Sequence, residues 1–221
     1  MRGKRMFENV KAVIFDLDGT LIDTEKIYRK VWPRTIREMG HVMTEEQYLS
    51  LRSLGRPFSP NQMKAWYGAD FDYDGARKRR KVYFDEYIRE HGIQVKPGAK
   101  ELLEYLHTKQ ITTAIATATD YERATNYLEM TNLSGYFDRI ISATMVKEGK
   151  PSPYVYLYAC EELGFLPEEC VAVEDAPNGI QSAHDAGLAV IMVPDQTPPT
   201  EEDKARLTLC VERLDEICQY F

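Results

Sequence analysis

Asp16 and Asp18 stand two residues apart, directly after the apolar run Val10-Lys11-Ala12-Val13-Ile14-Phe15. In extended chain such a pair projects to one side, with Leu17 turned to the other. Carboxylates that close repel, so a cation or a proton has to compensate them. A second acidic pair, Glu174-Asp175, follows the apolar run at 170–173. Thr117 ends the run at 111–116 with a hydroxyl donor, and Lys150, ahead of Pro151, brings a positive charge. Four carboxylates against one lysine leave a net charge of −3. Oxygen ligands with that deficit suit Mg²⁺, which keeps several waters and joins a phosphate. The chemistry to expect is therefore that of a phosphate site built around a divalent cation.

Such residues act together only if separate strands bring them to one rim. The runs at 10–15, 111–116, Arg139–Ser142, 170–173 and 189–193 read as buried strands. Helical patterns lie between them. The stretch 98–109 puts Leu102, Leu103 and Leu106 on one face, and 177–187 is a second helix. Ser152 caps a third, with Pro153 at its first position, Gly164 at its end, and Tyr156, Ala159, Cys160 and Leu163 turned inward. Strand–helix alternation from residue 98 onward implies a parallel sheet covered on both faces, with ligands bound at the carboxyl ends of its strands. Residues 24–92 break that rhythm. They carry helical patterns such as Ile27, Val31, Trp32 and Ile36, but no buried strand, and Pro33 is expected to kink or divide the first helix. The simplest organisation is a helical insertion after the first strand of an α/β domain.

These residues are similar to the motifs of a known family. The chain resembles the haloacid dehalogenase-like hydrolases, and among them the β-phosphoglucomutase-like group with a helical cap. Four motifs carry the resemblance in order: Asp16-Leu17-Asp18-Gly19-Thr20, Thr117 within Ile115-Ala116-Thr117-Ala118-Thr119, Lys150-Pro151, and Glu174-Asp175-Ala176-Pro177-Asn178-Gly179. The resemblance implies a Rossmann-like core of residues 1–22 and 94–221, with an all-helical cap at 23–93. It implies Asp16 as the nucleophile that forms an aspartyl-phosphate, and Asp18 as the acid that protonates the leaving oxygen and then activates water. Thr117, the backbone at Ala118 and Lys150 would hold phosphoryl oxygens. Mg²⁺ would be bound by Asp16, the Asp18 main-chain carbonyl and Asp175, with Glu174 bound directly or through water. Dehalogenase chemistry is not expected, because those members lack the aspartate present here as Asp18.

Mutases of the same group move the phosphoryl group to a sugar and tend to carry a histidine in the first cap helix. Tyr28 stands at that position, and the first motif ends in Thr20 where sugar mutases often have valine. Both departures favour a phosphatase acting on a small phosphorylated metabolite such as a sugar phosphate. A mutase is the alternative, followed by a non-catalytic phospho-ligand sensor or a receiver-type phospho-acceptor. Substrate choice would lie in the cap, with Arg52 or Arg56 of the loop Arg52-Ser53-Leu54-Gly55-Arg56 meeting an anionic or hydroxyl-rich part of the substrate. The basic run Arg77-Lys78-Arg79-Arg80-Lys81 spreads around a helix and reads as a solvated face with one residue turned to the cleft. Trp32 and Trp66 read as packing, and the four histidines lack metal-like spacing.

The 221 residues carry 28 Lys+Arg against 35 Asp+Glu, a net charge of −7 that argues against a nucleic-acid binder. No apolar run reaches the ~20 residues that cross a bilayer. The basic start, Met1–Arg5, is followed by too short an apolar stretch for a signal peptide. Cys160, Cys170, Cys210 and Cys218 have no zinc spacing and read as reduced, packed thiols. A cytoplasmic, monomeric enzyme without nucleic-acid or membrane partners is expected.

Overall fold

In the computed structural model, which describes residues 6–221, the first apolar run forms a four-residue strand, β1 (Ala12–Phe15). The basic start Met1–Arg5 lies outside the described residues. Alternate side chains of β1 serve two different layers, as a pleated strand buried on both faces requires. Val13 and Phe15 pack with Leu102, Leu103 and Leu106 of α5 (Ala99–Thr108). Ala12 and Ile14 pack instead with Val155, Tyr156 and Ile180. Those residues belong to α7 (Tyr154–Leu163) and α8 (Pro177–Asp185).

Four further strands follow: β2 (Thr112–Thr117), β3 (Arg139–Ser142), β4 (Cys170–Glu174) and β5 (Ala189–Met192). With the two-residue β6 (Leu209–Cys210) they make a six-stranded, all-parallel sheet in the order β3-β2-β1-β4-β5-β6. The fold is thus α/β and Rossmann-like. Because β2 lies on one side of β1 and β4 on the other, the sheet reverses its winding at β1, where open α/β sheets bind ligands. Register brings Phe15 level with Ile115 and Val173, so Asp16 and Glu174 emerge at one rim.

The elements between β1 and α5 are four helices: α1 (Glu25–Glu38), α2 (Glu45–Ser50), α3 (Phe58–Tyr67) and α4 (Tyr73–His91). The outgoing and returning chains are paired where they cross. Ile22 bridges Val95 antiparallel, and the Asp23 N–H donates to the Gln94 carbonyl at 2.8 Å.

Local expectations fail at several points. Helix α1 runs undivided through Pro33, held by tertiary burial of Ile27, Val31, Trp32 and Ile36 on one face. Ser152 does not cap α7; Pro153 is itself the N-cap, and Ser152 donates its N–H to the Gly149 carbonyl. Gly164 does end that helix, in the left-handed conformation. Cys210 is exposed rather than packed. Helix α6 (Tyr121–Met130), unforeseen in sequence, stands after β2.

Candidate active site

The carboxyl end of the sheet gathers the motif residues into one buried cluster. Asp16 is tied to β4 by its N–H, which donates to the Val173 carbonyl at 2.9 Å. The Lys150 ammonium donates to Asp16 Oδ1 at 2.5 Å and to Glu174 Oε1 at 2.6 Å, with none of the three side chains more than 2% exposed. The Tyr156 hydroxyl donates to the same Glu174 oxygen at 2.5 Å. The Thr20 hydroxyl donates to Asp175 Oδ1 at 3.3 Å. One oxygen on each acid is left over: Asp16 Oδ2, Glu174 Oε2 and Asp175 Oδ2 are buried without a hydrogen-bond partner.

Three orphaned anionic oxygens are costly unless something positive meets them. Ligand atoms of Asp16, Glu174 and Asp175 all lie within 4.8 Å of one another. The donor set is entirely oxygen, which fits a hard divalent cation. The chain also keeps the space clear. A Cβ on Gly19, whose φ is +87°, would stand 2.6 Å from Asp175 Oδ2, and one on Gly179 would stand 2.1 Å from the Glu174 carboxylate. Electrostatics agree. Burial pushes the Asp16 carboxyl up, Lys150 opposes this, and Glu174 and Asp18 add to the rise. Burial, then Asp16 and Glu174, push Asp175 up as well. Burial alone would lower Lys150, but the two carboxylates it touches raise it above its ordinary range.

Asp18 is handled differently. Its Oδ1 accepts from the Thr24 hydroxyl at 2.5 Å and its Oδ2 from the Thr119 hydroxyl at 2.7 Å, so both of its oxygens have hydrogen-bond partners. Thr24 is the N-cap residue of α1 yet makes no side-chain cap; its hydroxyl is spent on Asp18 instead. Thr117 accepts the Thr119 N–H at 3.0 Å, which leaves its own O–H free to donate. Thr117, Ala118 and Thr119 line a cleft together with Asp16 and Asp18.

The helical insertion closes over this cleft. Arg52 is buried, donating from Nη2 to the Thr197 hydroxyl at 2.6 Å and placing Nη1 3.7 Å from Asp175 Oδ2. Asn178 donates to the Ser50 and Arg52 carbonyls at 3.1 and 2.8 Å. The Gly55 N–H donates to the Lys150 carbonyl at 2.8 Å, and the Gly149 N–H to the Arg56 carbonyl at 2.7 Å. Arg56 does not line the cleft; it pairs with exposed Asp74 beside the Tyr73 ring. Tyr28 does line it, stacked on Phe84. So does Trp32, while packing in the core as expected.

From the basic run, both Arg77 and Arg80 face the cleft, where sequence reading placed a single residue. Arg123, Glu25, Tyr48 and Thr119 also line it and were not singled out. Thr119 sat inside a quoted motif, and the i, i+3 spacing of Arg77 and Arg80 marked one helix face. Arg123 gave no signal, because α6 itself was not foreseen. The histidines stay outside the cleft lining, as expected.

The family model described as haloacid dehalogenase-like hydrolase matches residues 10–187. The phosphorylated carbohydrates phosphatase of Thermotoga maritima is 36% identical over 186 residues, covering 81% of this chain and 82% of that protein. Hexitol phosphatase A of Escherichia coli is 32% identical over 194 residues, covering 87% and 88%. The β-phosphoglucomutase structure from Clostridium difficile superposes with a TM-score of 0.80 at 24% identity, over 94% of this chain and 93% of that one, which shows a common fold.

Proposed function

The chain belongs to the haloacid dehalogenase-like hydrolases, and from that premise we propose a Mg²⁺-dependent phosphatase of small phosphorylated carbohydrates, working through an aspartyl-phosphate. The observation that carries this reading is the trio of buried oxygens without a hydrogen bond on Asp16, Glu174 and Asp175 beside Lys150. Similarity to the two carbohydrate phosphatases supports the substrate class.

Asp16 Oδ2, Glu174 Oε2 and Asp175 Oδ2 would hold the cation. Mg²⁺ there would offset the charge of an anion attacking an anion. Lys150 spends two of its three N–H bonds on Asp16 and Glu174, keeping one for a phosphoryl oxygen. The Thr117 hydroxyl and the Ala118 N–H would hold the others, so the phosphorus faces Asp16. The Asp16 carboxylate attacks phosphorus, the bond to the leaving oxygen breaks, and Asp18 supplies that oxygen's proton. Water then attacks the aspartyl-phosphate, Asp18 takes its proton, and phosphate leaves with Asp16 restored. Thr24 and Thr119 aim the Asp18 oxygens for both transfers.

We assign residues 23–93 as the cap and 1–22 with 94–221 as the core, a division supported by the Ile22–Val95 crossing. Thr24 on Asp18 and Arg52 beside Asp175 would then be the cap groups that meet the site acids, with Tyr28 lining the cleft. Among the described residues no helix is long and apolar enough to cross a membrane. The four free thiols suit a reducing cytoplasm. The test is phosphate release from a panel of sugar and polyol phosphates. We expect it to need Mg²⁺ and to stop with EDTA; isomerisation of β-glucose 1-phosphate without release would point to a mutase.

A further inference from the structure

The cleft is polarised. Asp16, Asp18 and Glu25 line one end, while Arg77 and Arg80 of α4 and Arg123 of α6 converge at the other, with Asp120 beside them. A second recess adjoins the cleft and shares these three arginines, with Lys78, Lys81, Asp74 and Asp120 around them. Arg77 has a carboxylate partner, Asp120, at 3.2 Å. Among the described residues Arg80 and Arg123 have none within ion-pair reach. Arg80 Nε is buried without any hydrogen-bond partner.

Neither arginine is loosely held. The Arg80 guanidinium lies over the Tyr28 and Trp32 rings, 4.8 and 4.6 Å from their centroids. Arg123 lies over Phe84 and Tyr127 at 5.3 and 5.4 Å, and donates to the Tyr127 hydroxyl. Stacking occupies the faces of a guanidinium and leaves its N–H edge, the part that matches a phosphate or carboxylate bidentately. Burial lowers the pKa of Arg80, Tyr28 opposes, and the like charges of Arg123 and Arg77 lower it further. Asp120 serves Arg77 and the charge of Asp18 supports Arg123, so Arg80, desolvated and orphaned at Nε, is the cation most in need of an incoming anion. The scissile phosphate has its own partners around Lys150, so the anion in question is a different one.

We propose that the substrate is doubly anionic: a short phosphorylated polyol or sugar whose second anionic group, a phosphate or a carboxylate, docks on Arg80 and Arg123. This rests on the phosphatase reading above for the reacting end and adds the recognition of the remote end. Arg77, neutralised by Asp120, sets the rim and Arg80 the inner contact. Tyr28 and Trp32 hold Arg80 in place, which gives Tyr28 a role that a proton-carrying residue at that position would not fill.

The experiment compares kcat/KM for matched compounds: a sugar monophosphate with a neutral far end, the corresponding bisphosphate, and a phosphorylated sugar acid. A charge-assisted bidentate contact corresponds to about 10- to 100-fold in favour of the compound with the second anion. Arg80→Gln and Arg123→Gln should collapse that ratio toward unity, mainly through KM, and Arg80→Lys should restore part of it. Thermal melts confirm that the variants are folded. The preferred partner, bisphosphate or sugar acid, identifies the second group. A wild-type ratio near unity, or one that survives Arg80→Gln, overturns the proposal while leaving the phosphatase reading intact. If no compound releases phosphate, that reading fails, and calorimetry of Asp16→Asn with the bisphosphate and the monophosphate decides the proposal alone. A preference for the bisphosphate that is lost on adding Arg80→Gln sustains it; equal affinities overturn it.

Discussion

Glu25 is buried at the start of α1, its Oε2 accepting from the Tyr48 hydroxyl at 2.6 Å while the cleft opens beside it. Burial raises its pKa to about 7; Tyr48 opposes the rise, and Asp18 adds to it. The folded chain therefore keeps a proton that the unfolded chain has released between about pH 4.5 and 7. A raised carboxyl pKa contributes stability that is present below the unfolded value and lost as pH rises through the folded one. Glu25→Gln keeps an acceptor for Tyr48 and removes the titration. From pH 5 to pH 8, wild-type stability should fall by about 2–3 kcal/mol relative to Glu25→Gln, read by urea unfolding at each pH. Parallel pH profiles for the two proteins would show that Glu25 is ionised throughout.

At the scale of elements, the loop between α2 and α3 meets the loop that carries Lys150. Gly55 and Gly149 touch through their backbones; a Cβ on Gly55 would stand 2.6 Å from the Gly149 Cα. Gly55→Ala should force the loops apart, weaken the hydrogen bonds at Lys150 and Arg56, and cost about 1–3 kcal/mol. Steady-state kinetics should show both a raised KM and a lowered kcat; unchanged kinetics would mean that loop contact does not set the site. The elements that place Asp16, Thr117 and Glu174 were legible because buried parallel strands are short apolar runs ending at polar residues. Helix α6 was less so: Tyr121, Glu122, Arg123 and Thr125 dilute its apolar stripe, and its N-cap Asp120 serves Arg77 rather than the helix. With α6 went Arg123. The expected division of α1 at Pro33 does not occur, because burial of its inner face offsets a local breaker, which a sequence window does not register. Ser152 looked like a cap by residue type, but the helix starts one residue later, with Pro153 at the cap position.

For the molecule as a whole, the sheet concentrates buried acids at one rim and leaves them in need of a cation. Removing one acid should therefore help the metal-free chain. Asp175 has Arg52 only at 3.7 Å and an oxygen with no hydrogen bond, so Asp175→Asn should melt higher than wild type in EDTA. Millimolar Mg²⁺ should raise the wild-type melting temperature by about 3 °C and leave that of Asp175→Asn unmoved. An equal gain in both proteins would place the cation elsewhere. The central claim is that Asp16 carries the phosphoryl group, and its most direct test is the reaction of wild type and Asp16→Asn with the best substrate of the panel in Mg²⁺. Acid quenching of the wild type should trap phosphate on Asp16 itself, found by peptide mass after borohydride reduction. Asp16→Asn should show no trapped phosphate and lose about a thousandfold or more in kcat. Turnover by Asp16→Asn at the wild-type rate, or phosphate trapped on another residue, would contradict the account.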